Sequence, residues 1–221
     1  MRLALFDLDH TLIPFDSGMA WVRFLVGREL LPPEAEAVYL AHCQDYVAGA
    51  IDVRDLHRAL VQPLVGSKRS AFDDWLADFE DGLAMTLPAP SLALVAMHRA
   101  AGDRCVLVTA TARFVAARYA AAFGIDDVIA TESARDSYGR LTGEIVGLPC
   151  AREHKLDKLA GWLALEGLSL GGFERSFFYS DSASDLPLLR AVTDPVAVRP
   201  DAALRAVAES EGWRIERLEA A

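Results

Sequence analysis

The chain has 221 residues, of which 52% are hydrophobic and 24% charged, and 22 Lys and Arg against 32 Asp and Glu give a formal net charge of −10. This composition excludes a disordered or low-complexity chain, because there are enough apolar side chains to fill a core. The acidic balance argues against a protein that binds nucleic acid or an anionic membrane, because such binding requires a basic face. An anionic small ligand remains compatible with it, because a bound metal ion can reverse the field inside a pocket.

Membrane insertion and secretion are not predicted. No apolar run approaches the roughly 20 residues that a membrane span requires. Asp7 and Asp9 interrupt the short apolar run at the N-terminus, which argues against a secretory signal. The three cysteines, Cys43, Cys105 and Cys150, are widely spaced and lack zinc-site spacing. We therefore expect a reduced, cytoplasmic setting with the cysteines as ordinary buried residues.

The first predicted element is a short strand, and a long helical segment follows it. The apolar run Leu3–Phe6 is too short for a helix and is typical of a strand buried on both faces of a parallel sheet. Residues 15–87 contain no strand-like run. One stretch has a clear helical face, formed by Phe72, Trp75, Leu76, Phe79 and Leu83. We therefore predict an all-helical subdomain over residues 15–87, inserted after the first strand.

Residues 88–221 alternate between strand-like and helix-like stretches. The predicted strands are Cys105–Val108, Phe177–Tyr179 and Val196–Val198. The predicted helices each end before a glycine and cover Ser91–Ala101, Arg113–Phe123 and Leu156–Glu166. Turn residues and alternation over residues 133–149 suggest a short hairpin. The alternation predicts the α/β class, with a doubly wound parallel sheet built from residues 1–14 and 88–221.

Polar side chains follow three of the predicted strands. Asp7, Thr109 and Asp181 each come directly after, or within two residues of, a buried apolar run. In a doubly wound sheet, ligands bind outside the carboxyl ends of the strands, so these side chains can converge although they lie far apart in sequence. A polar residue at a strand end can also simply cap the next helix.

The first of these positions carries a pair of carboxylates. Asp7 and Asp9 are two residues apart, and hence on the same side of an extended backbone. Such a pair requires a metal ion, a shared proton or a division of labour, because neighbouring carboxylates raise each other's pKa. An oxygen-rich site suits Mg²⁺. Asp181 could complete its ligands, with Asp185 behind it in the second shell of contacts.

The segment Asp7-Leu8-Asp9-His10-Thr11 resembles the first motif, Asp-x-Asp-x-Thr, of the haloacid dehalogenase (HAD) superfamily of phosphatases. The other motifs follow in the family's order: a hydrophobic strand ending in Thr109, then Lys155, then the acidic segment Ser180–Asp185. The helical insert resembles the cap of the phosphoserine-phosphatase-like branch, some of whose bacterial members act on histidinol phosphate. The resemblance spans nearly the whole chain and implies a Rossmann-like HAD core with an inserted helical cap.

The resemblance implies covalent phosphoryl transfer. Asp7 would attack phosphorus and become an aspartyl phosphate. Asp9 would protonate the leaving alkoxide and then deprotonate the attacking water. Mg²⁺ would be bound by Asp7, Asp181 and the backbone carbonyl of Asp9, and would offset the repulsion between nucleophile and phosphate.

The resemblance also assigns the groups that hold the phosphate. Thr109 would donate its hydroxyl to a phosphoryl oxygen, beside the wall residue Ala110, and Lys155 would neutralise the developing charge. Asp185 would orient Lys155 or a metal-bound water. Lys158 follows Lys155 by one helical turn, so either lysine could face the site.

Three positions depart from the phosphoserine phosphatase pattern and weaken phosphoserine as the substrate. The glutamate that holds the substrate amine is replaced by Asp16, and an approximate match places Leu60 where the family has a carboxylate-binding cap arginine, with Arg54 and Arg58 out of register. The two glycines that follow the second-motif threonine are replaced by Ala110-Thr111, which should reshape that wall. Asp16 is either a recognition group for an amine, as in histidinol phosphate, or the N-cap of a helix, and one residue could do both.

We therefore expect a Mg²⁺-dependent phosphatase of a small phosphorylated metabolite, with no nucleic-acid or membrane partner. A different class, a receiver-like signalling domain switched by phosphorylation, also combines Asp, Thr and Lys on a parallel sheet. It fits less well, because its acidic pair is contiguous and it has no counterpart to the cap. A nucleotide-binding module would need a glycine-rich loop after the first strand, which is missing. The sequence does not predict the oligomeric state.

Overall fold

A computed structural model describes residues 1–218 of the chain. Its strands and helices are, in chain order, β1 (Arg2–Phe6), α1 (Ser17–Gly27), α2 (Glu34–Val47), α3 (Val53–Val61), α4 (Arg69–Leu83), α5 (Ala89–Ala100), β2 (Arg104–Ala112), α6 (Arg113–Phe123), β3 (Asp127–Thr131), β4 (Ser133–Arg135), β5 (Leu141–Ile145), α7 (His154–Leu165), β6 (Arg175–Ser180), α8 (Leu186–Leu189), β7 (Asp194–Val198), α9 (Ala202–Glu211) and β8 (Arg214–Glu216). No helix within the described range is long and apolar enough to span a membrane.

The main sheet has six strands in the order β3-β2-β1-β6-β7-β8, and every neighbouring pair is parallel. The chain runs outward from β1 through β2 to β3, then returns to the other side of β1 and runs outward again through β6, β7 and β8. This reversal beside β1 defines a doubly wound sheet, so the predicted α/β fold class is confirmed.

Burial on both faces explains why β1 is a continuous apolar run. Leu3 and Leu5 pack in the cluster that contains α7, α8 and α9, whereas Ala4 and Phe6 pack on the opposite face with α1, α4, α5 and α6. All four side chains are fully buried. A strand with apolar side chains on both faces is stable only inside a two-sided helical layer, which is the arrangement that the sequence predicted.

The segment between β1 and β2 is helical, as predicted. Residues 17–83, all of which are described, form α1 to α4 and a short 3₁₀ turn without any strand. Their core centres on Trp21, whose ring lies 5.1 Å from that of Phe79 and 5.9 Å from that of Phe114 on α6. The aromatic face predicted on α4 therefore packs inside the protein and is not a binding surface. The exact bounds of the cap, 15–87, stay a prediction.

The hairpin suggested over residues 133–149 is formed by β4 and β5, which pair antiparallel. It lies against the cap. The Arg58 guanidinium on α3 binds Glu144 on β5, with N–O distances of 3.1 to 3.2 Å, and Arg54 Nη2 donates to the Gly147 carbonyl at 2.9 Å. A segment that follows β3 in sequence therefore connects the core to α3.

The structure differs from the prediction at β2 and at the cysteines. β2 continues through Thr109 to Ala112, with a shift in its pairing to β3 after Val108, so Thr109 lies within the strand and not after it. Of the cysteines, all free, only Cys150 is buried, and Cys43 and Cys105 are half-buried.

Candidate active site

A cavity of about 550 Å³ opens at the carboxyl ends of the central strands, beside the switch point between β1 and β6. It is closed from above by α1, α2 and α3. All the residues predicted for the site line this one cavity: Asp7, Asp9, Asp16, Thr109, Ala110, Lys155, Asp181 and Asp185.

A buried lysine joins two of the predicted carboxylates. Asp7 continues β1, because its backbone N–H donates to the Tyr179 carbonyl at 3.0 Å. Lys155, in the first turn of α7, donates from Nζ to Asp7 Oδ1 at 2.8 Å and to Asp185 Oδ2 at 2.7 Å. Lys158 instead makes an exposed contact with the Leu148 carbonyl, at 3.1 Å. Of the two lysines, the structure therefore brings Lys155 to the carboxylates.

The electrostatics of this cluster favour an added cation. Burial raises the pKa of Asp7 to about 7 against the opposing charge of Lys155, and Asp185 adds to the rise. Burial and the neighbouring Asp7 raise the pKa of Asp181 to about 7. For Lys155, burial lowers the pKa, but the two carboxylates outweigh it and hold the pKa above its usual range. One lysine thus does not balance the carboxylates gathered here.

The donor set fits Mg²⁺. The Thr11 hydroxyl lies 3.4 Å from Asp7 Oδ2 and 3.2 Å from Asp181 Oδ1, so both carboxylate oxygens lie close to this one hydroxyl group. Asp185 Oδ1 is buried and has no hydrogen-bond partner among the described residues, as expected of an acceptor whose partner is a hydrated ion. No three His, Cys, Asp or Glu side chains within residues 1–218 form a metal cluster. Two carboxylates and a backbone carbonyl are nevertheless a sufficient set for an ion that keeps several waters.

Asp9 is held by two donors, one on each carboxylate oxygen. The backbone N–H of Ser17 donates to Oδ1 and the Thr111 hydroxyl donates to Oδ2, both at 2.7 Å. Burial and the nearby Asp16 raise the pKa of Asp9 to about 6, and the hydrogen bonds from Ser17 and Thr111 oppose the rise. Because both carboxylate oxygens of Asp9 already accept hydrogen bonds, we expect any contact of Asp9 with a metal ion to be made by its backbone carbonyl.

The loop that follows β1 and carries Asp9 is tightly turned. His10 has a φ of 58°, in the left-handed region, and the Ile13 N–H donates back to the Leu8 carbonyl at 3.1 Å. Arg199, after β7, donates from Nε and Nη2 to the His10 carbonyl at 3.2 and 3.1 Å. The arginine therefore holds the motif loop from the other half of the sheet.

Thr109 and Ala110 form one wall. Thr109 is buried, and its hydroxyl accepts the Thr111 N–H at 3.2 Å and donates to the Thr111 hydroxyl oxygen at 3.3 Å. The Ala110 carbonyl accepts the Thr131 hydroxyl at 2.8 Å, which fixes the wall against β3. The Thr111 side chain also lines the cavity, and its hydroxyl donates to Asp9 Oδ2.

Asp16 caps α1 and also lines the cavity. Its Oδ1 accepts the Met19 N–H at 2.6 Å, so the N-cap interpretation is confirmed. Burial raises the pKa of Asp16, and hydrogen bonds from the backbone N–H groups of Met19 and Gly18 oppose the rise. Recognition of an amine by this carboxylate stays a prediction.

Most of the cap residues that line the cavity are apolar or aromatic, and Arg23 on α1 and His57 on α3 line it as well. Leu60 is buried and lines it, together with Met19, Tyr39, Tyr46 and Leu56. Arg54 and Arg58 point to the hairpin, where the Gly147 carbonyl and Glu144 occupy them. The structure therefore brings Leu60, and neither of these arginines, to the cavity.

Sequence reasoning missed three residues that support the site. Ser17 and Arg199 act through contacts between distant segments, so no local pattern marks them. Ser180 donates to Asp185 Oδ2 at 2.7 Å, and its place at the start of the acidic motif was the available signal.

Comparisons with known proteins agree with this geometry. A sequence model of the family described as haloacid dehalogenase-like hydrolase matches residues 4–190. The histidinol-phosphatase of Neisseria meningitidis is 36% identical over 216 residues, 97% of each chain. A crystal structure of a protein of unknown function from Bordetella pertussis superposes with a TM-score of 0.90 at 40% identity, over 99% of each chain. A substrate-bound phosphoserine phosphatase gives 0.66 at 16% identity, covering 98% of this chain and 93% of its own, which is a likeness of fold alone.

Proposed function

This chain belongs to the haloacid dehalogenase-like hydrolase family and is a phosphatase, and we propose that it is a Mg²⁺-dependent phosphomonoesterase that acts through an aspartyl phosphate on a small amine-bearing substrate. The observation that carries the proposal is the buried Asp7–Lys155–Asp185 cluster, which faces the same cavity as Asp9 and Asp181.

In the proposed mechanism, Asp7 attacks the phosphorus in line with the leaving oxygen. The new bond joins an Asp7 oxygen to phosphorus as the bond from phosphorus to the alkoxide breaks, and Asp9 supplies a proton to that alkoxide. Water then attacks the phosphorus, Asp9 takes a proton from it, and Asp7 and inorganic phosphate are released. Thr109 and Lys155 hold the phosphoryl oxygens.

Asp7, Asp181 and the Asp9 carbonyl would hold Mg²⁺. When bound, the ion would lower the repulsion between the anionic phosphate and the carboxylates. Lys155 opposes the rise in the pKa of Asp7 and orients its carboxylate, because the second bond of the lysine, to Asp185, fixes the ammonium group.

An amine-bearing substrate is favoured by the Asp16 carboxylate, which lines the cap side of the cavity. This carboxylate lies at the N-terminus of α1. Leu60 occupies the position that corresponds, by an approximate match, to the family's carboxylate-binding arginine. A substrate carboxylate buried without a cation would cost several kcal/mol, and the arginines that line the cavity are Arg152 and Arg23, of which Arg23 is paired with Glu36. The apolar and aromatic lining suits a ring better than it suits a second charge, so histidinol phosphate fits and phosphoserine is disfavoured.

The chemistry is tested with 4-nitrophenyl phosphate and Mg²⁺. We expect many turnovers per molecule in the wild type and none for Asp7→Asn, with Asp74→Asn, an exposed acid on α4, as the matched control. Mg²⁺ should also raise the Tm of the wild type but not of Asp181→Asn, because an ion that binds only the native state stabilises it. Hydrolysis without a divalent cation would contradict the mechanism, and a single phosphorylation without turnover would favour the receiver-like alternative.

The substrate class is tested with 2-aminoethyl phosphate and 2-hydroxyethyl phosphate, which carry an amine and a hydroxyl at the same position. Histidinol phosphate and phosphoserine are measured in the same assay. Asp16→Asn keeps an N-cap side chain but removes the charge. For Asp16→Asn, we expect kcat/KM for 2-aminoethyl phosphate and for histidinol phosphate to fall by about 10- to 100-fold, because a hydrogen bond to a charged group is lost. The 2-hydroxyethyl ester should not change. Equal losses on both esters would exclude amine recognition by Asp16.

A further inference from the structure

Two buried hydroxyl side chains, Ser17 and Thr111, lie beside the Asp9 carboxylate. Ser17 is the first residue of α1 and is fully buried, and Thr111 is the penultimate residue of β2 and 9% exposed. Their hydroxyl oxygens are 3.0 Å apart. The cap and the core therefore meet at Asp9 through one chain of hydrogen bonds.

The direction of these hydrogen bonds follows from counting donors. The Ser17 backbone N–H can only donate, so Asp9 Oδ1 is its acceptor. Thr111 has a single hydroxyl hydrogen, and it points to Asp9 Oδ2. With that hydrogen directed at the carboxylate, the Thr111 oxygen can accept from the Ser17 hydroxyl at 3.0 Å and from the Thr109 hydroxyl at 3.3 Å, and in this arrangement Ser17 supports the bond that Thr111 makes.

These contacts fix the plane of the Asp9 carboxylate. Rotation about its terminal torsion would break two hydrogen bonds of 2.7 Å that come from different elements. A group that transfers a proton must lie within hydrogen-bond reach of the leaving oxygen, and a displacement of about 1 Å can cost about 100-fold in rate. Glycine, which the family pattern places at position 111, has no hydroxyl for this purpose.

We infer that Thr111, supported by Ser17, is a positioning residue that holds Asp9 for protonation of the leaving alkoxide. The inference rests on the proposed function, in which Asp9 is the acid. Thr111 then belongs to the catalytic arrangement and does more than add bulk to the cavity wall.

The test uses two substrates whose leaving groups differ in their need for a proton. An alkoxide, as from histidinol phosphate, leaves only when protonated, whereas 4-nitrophenolate leaves without that help. The ratio of kcat/KM between the two substrates isolates this step, because kcat/KM covers events up to formation of the phosphoenzyme and is not affected by its later hydrolysis.

For Thr111→Val, which keeps the shape and removes the hydroxyl, we expect kcat/KM for histidinol phosphate to fall by about 100-fold, and that for 4-nitrophenyl phosphate by less than about fivefold. Thr111→Ser should restore most of the loss. The matched control is Thr131→Val, which removes a buried hydroxyl that donates to the Ala110 carbonyl and accepts the Cys150 N–H, and it should leave the ratio unchanged because Thr131 does not contact Asp9. A crystal structure of Thr111→Val should show the Asp9 carboxylate rotated away from its position in the wild type.

Equal losses on both substrates in Thr111→Val, or no loss on either, would overturn the inference, as would an unmoved Asp9 in its crystal structure. Failure of the proposed function gives a different result. In that case the wild type would not hydrolyse alkyl phosphates with Mg²⁺, or Asp9→Asn would hydrolyse them as well as the wild type does.

Discussion

At the scale of single residues, the most unusual feature is a lysine that is 3% exposed. A buried ammonium group is retained only where its charge is balanced and its hydrogen bonds are made. Lys155 satisfies both conditions through Asp7 and Asp185, and neither carboxylate would be stable in the same place without it. Lys155 therefore stabilises the folded protein even when no substrate is bound.

Lys155→Met is therefore expected to lower the free energy of unfolding by about 3–5 kcal/mol, because removing one partner leaves buried charge uncompensated. Lys158→Met, one helical turn away, is the control and should cost less than about 1 kcal/mol, as expected for a surface contact. Urea unfolding of both variants at pH 7.5 measures the difference. Equal stability of the two variants would show that the buried ion pairs contribute nothing.

How far the site is predictable also becomes clear at this scale. Asp7, Asp9 and Asp181 follow buried strands, and strand ends meet at one edge of a sheet, so their convergence is readable from the sequence. The Thr111 contact with Asp9 and the Arg199 contact with the His10 carbonyl are not, because they depend on how the strands twist and where β2 ends.

At the scale of elements, the contact between α1 and α2 is controlled by one glycine. A Cβ on Gly18 would lie 2.3 Å from the Tyr39 hydroxyl and 3.1 Å from the ring carbon that bears it. Tyr39 is a rigid side chain and 5% exposed, so it cannot move aside easily. The missing side chain lets the two helices approach next to Asp16.

Gly18→Ala is expected to lower the free energy of unfolding by about 1–2 kcal/mol, since the overlap outweighs the gain in helix propensity. In a Tyr39→Phe background the loss should be smaller, because the 2.3 Å overlap with the hydroxyl is gone and only the contacts of 3.1 Å with the ring carbon and 3.2 Å with Asp16 Oδ1 remain. Gly27→Ala is the matched control on the same helix, where nothing lies within 4 Å of the new Cβ. Denaturant unfolding of the double-mutant cycle gives the coupling energy, and an additive result would refute the overlap.

Elements were predictable where their periodicity was strong. The predicted bounds of Arg113–Phe123 match α6, and Gly124 ends it with a φ of 71°. β3 and β8, the two edge strands, were not predicted: β8 is short and has no apolar run, and the run Val128–Ala130 of β3 has only three residues. β2 was predicted too short, because its last residues, Thr109 to Ala112, are polar or small.

At the scale of the whole molecule, buried groups make opposing contributions to acid stability. His57 on α3 is buried, its Nε2 has no hydrogen-bond partner among the described residues, and burial lowers its pKa to about 4. Between pH 6.5 and 4 the unfolded chain binds more protons at His57 than the folded chain, so acid destabilises the fold. Asp7 and Asp181 act in the opposite sense without Mg²⁺, because burial raises the pKa of both.

His57→Gln removes the destabilising contribution. Between pH 7.5 and 5, without Mg²⁺, the wild type should lose on the order of 2 kcal/mol of unfolding free energy relative to the variant. Urea titrations of both proteins at the two pH values measure this difference, in which the contributions of the aspartates cancel. A pH-independent difference would mean that His57 gains its proton as easily in the folded protein as in the unfolded one.

The contact between α3 and the hairpin has a consequence for protein engineering. The helices that cover the active site come from one stretch of sequence, but their support includes Glu144 and the Gly147 carbonyl, which lie far along the chain. In a chimaera that carries residues 15–87 in a relative, Arg54 and Arg58 would face a hairpin that lacks their native partners. To transfer substrate preference, a graft must therefore include residues 133–147 as well as the helices, although the two segments are separate in sequence.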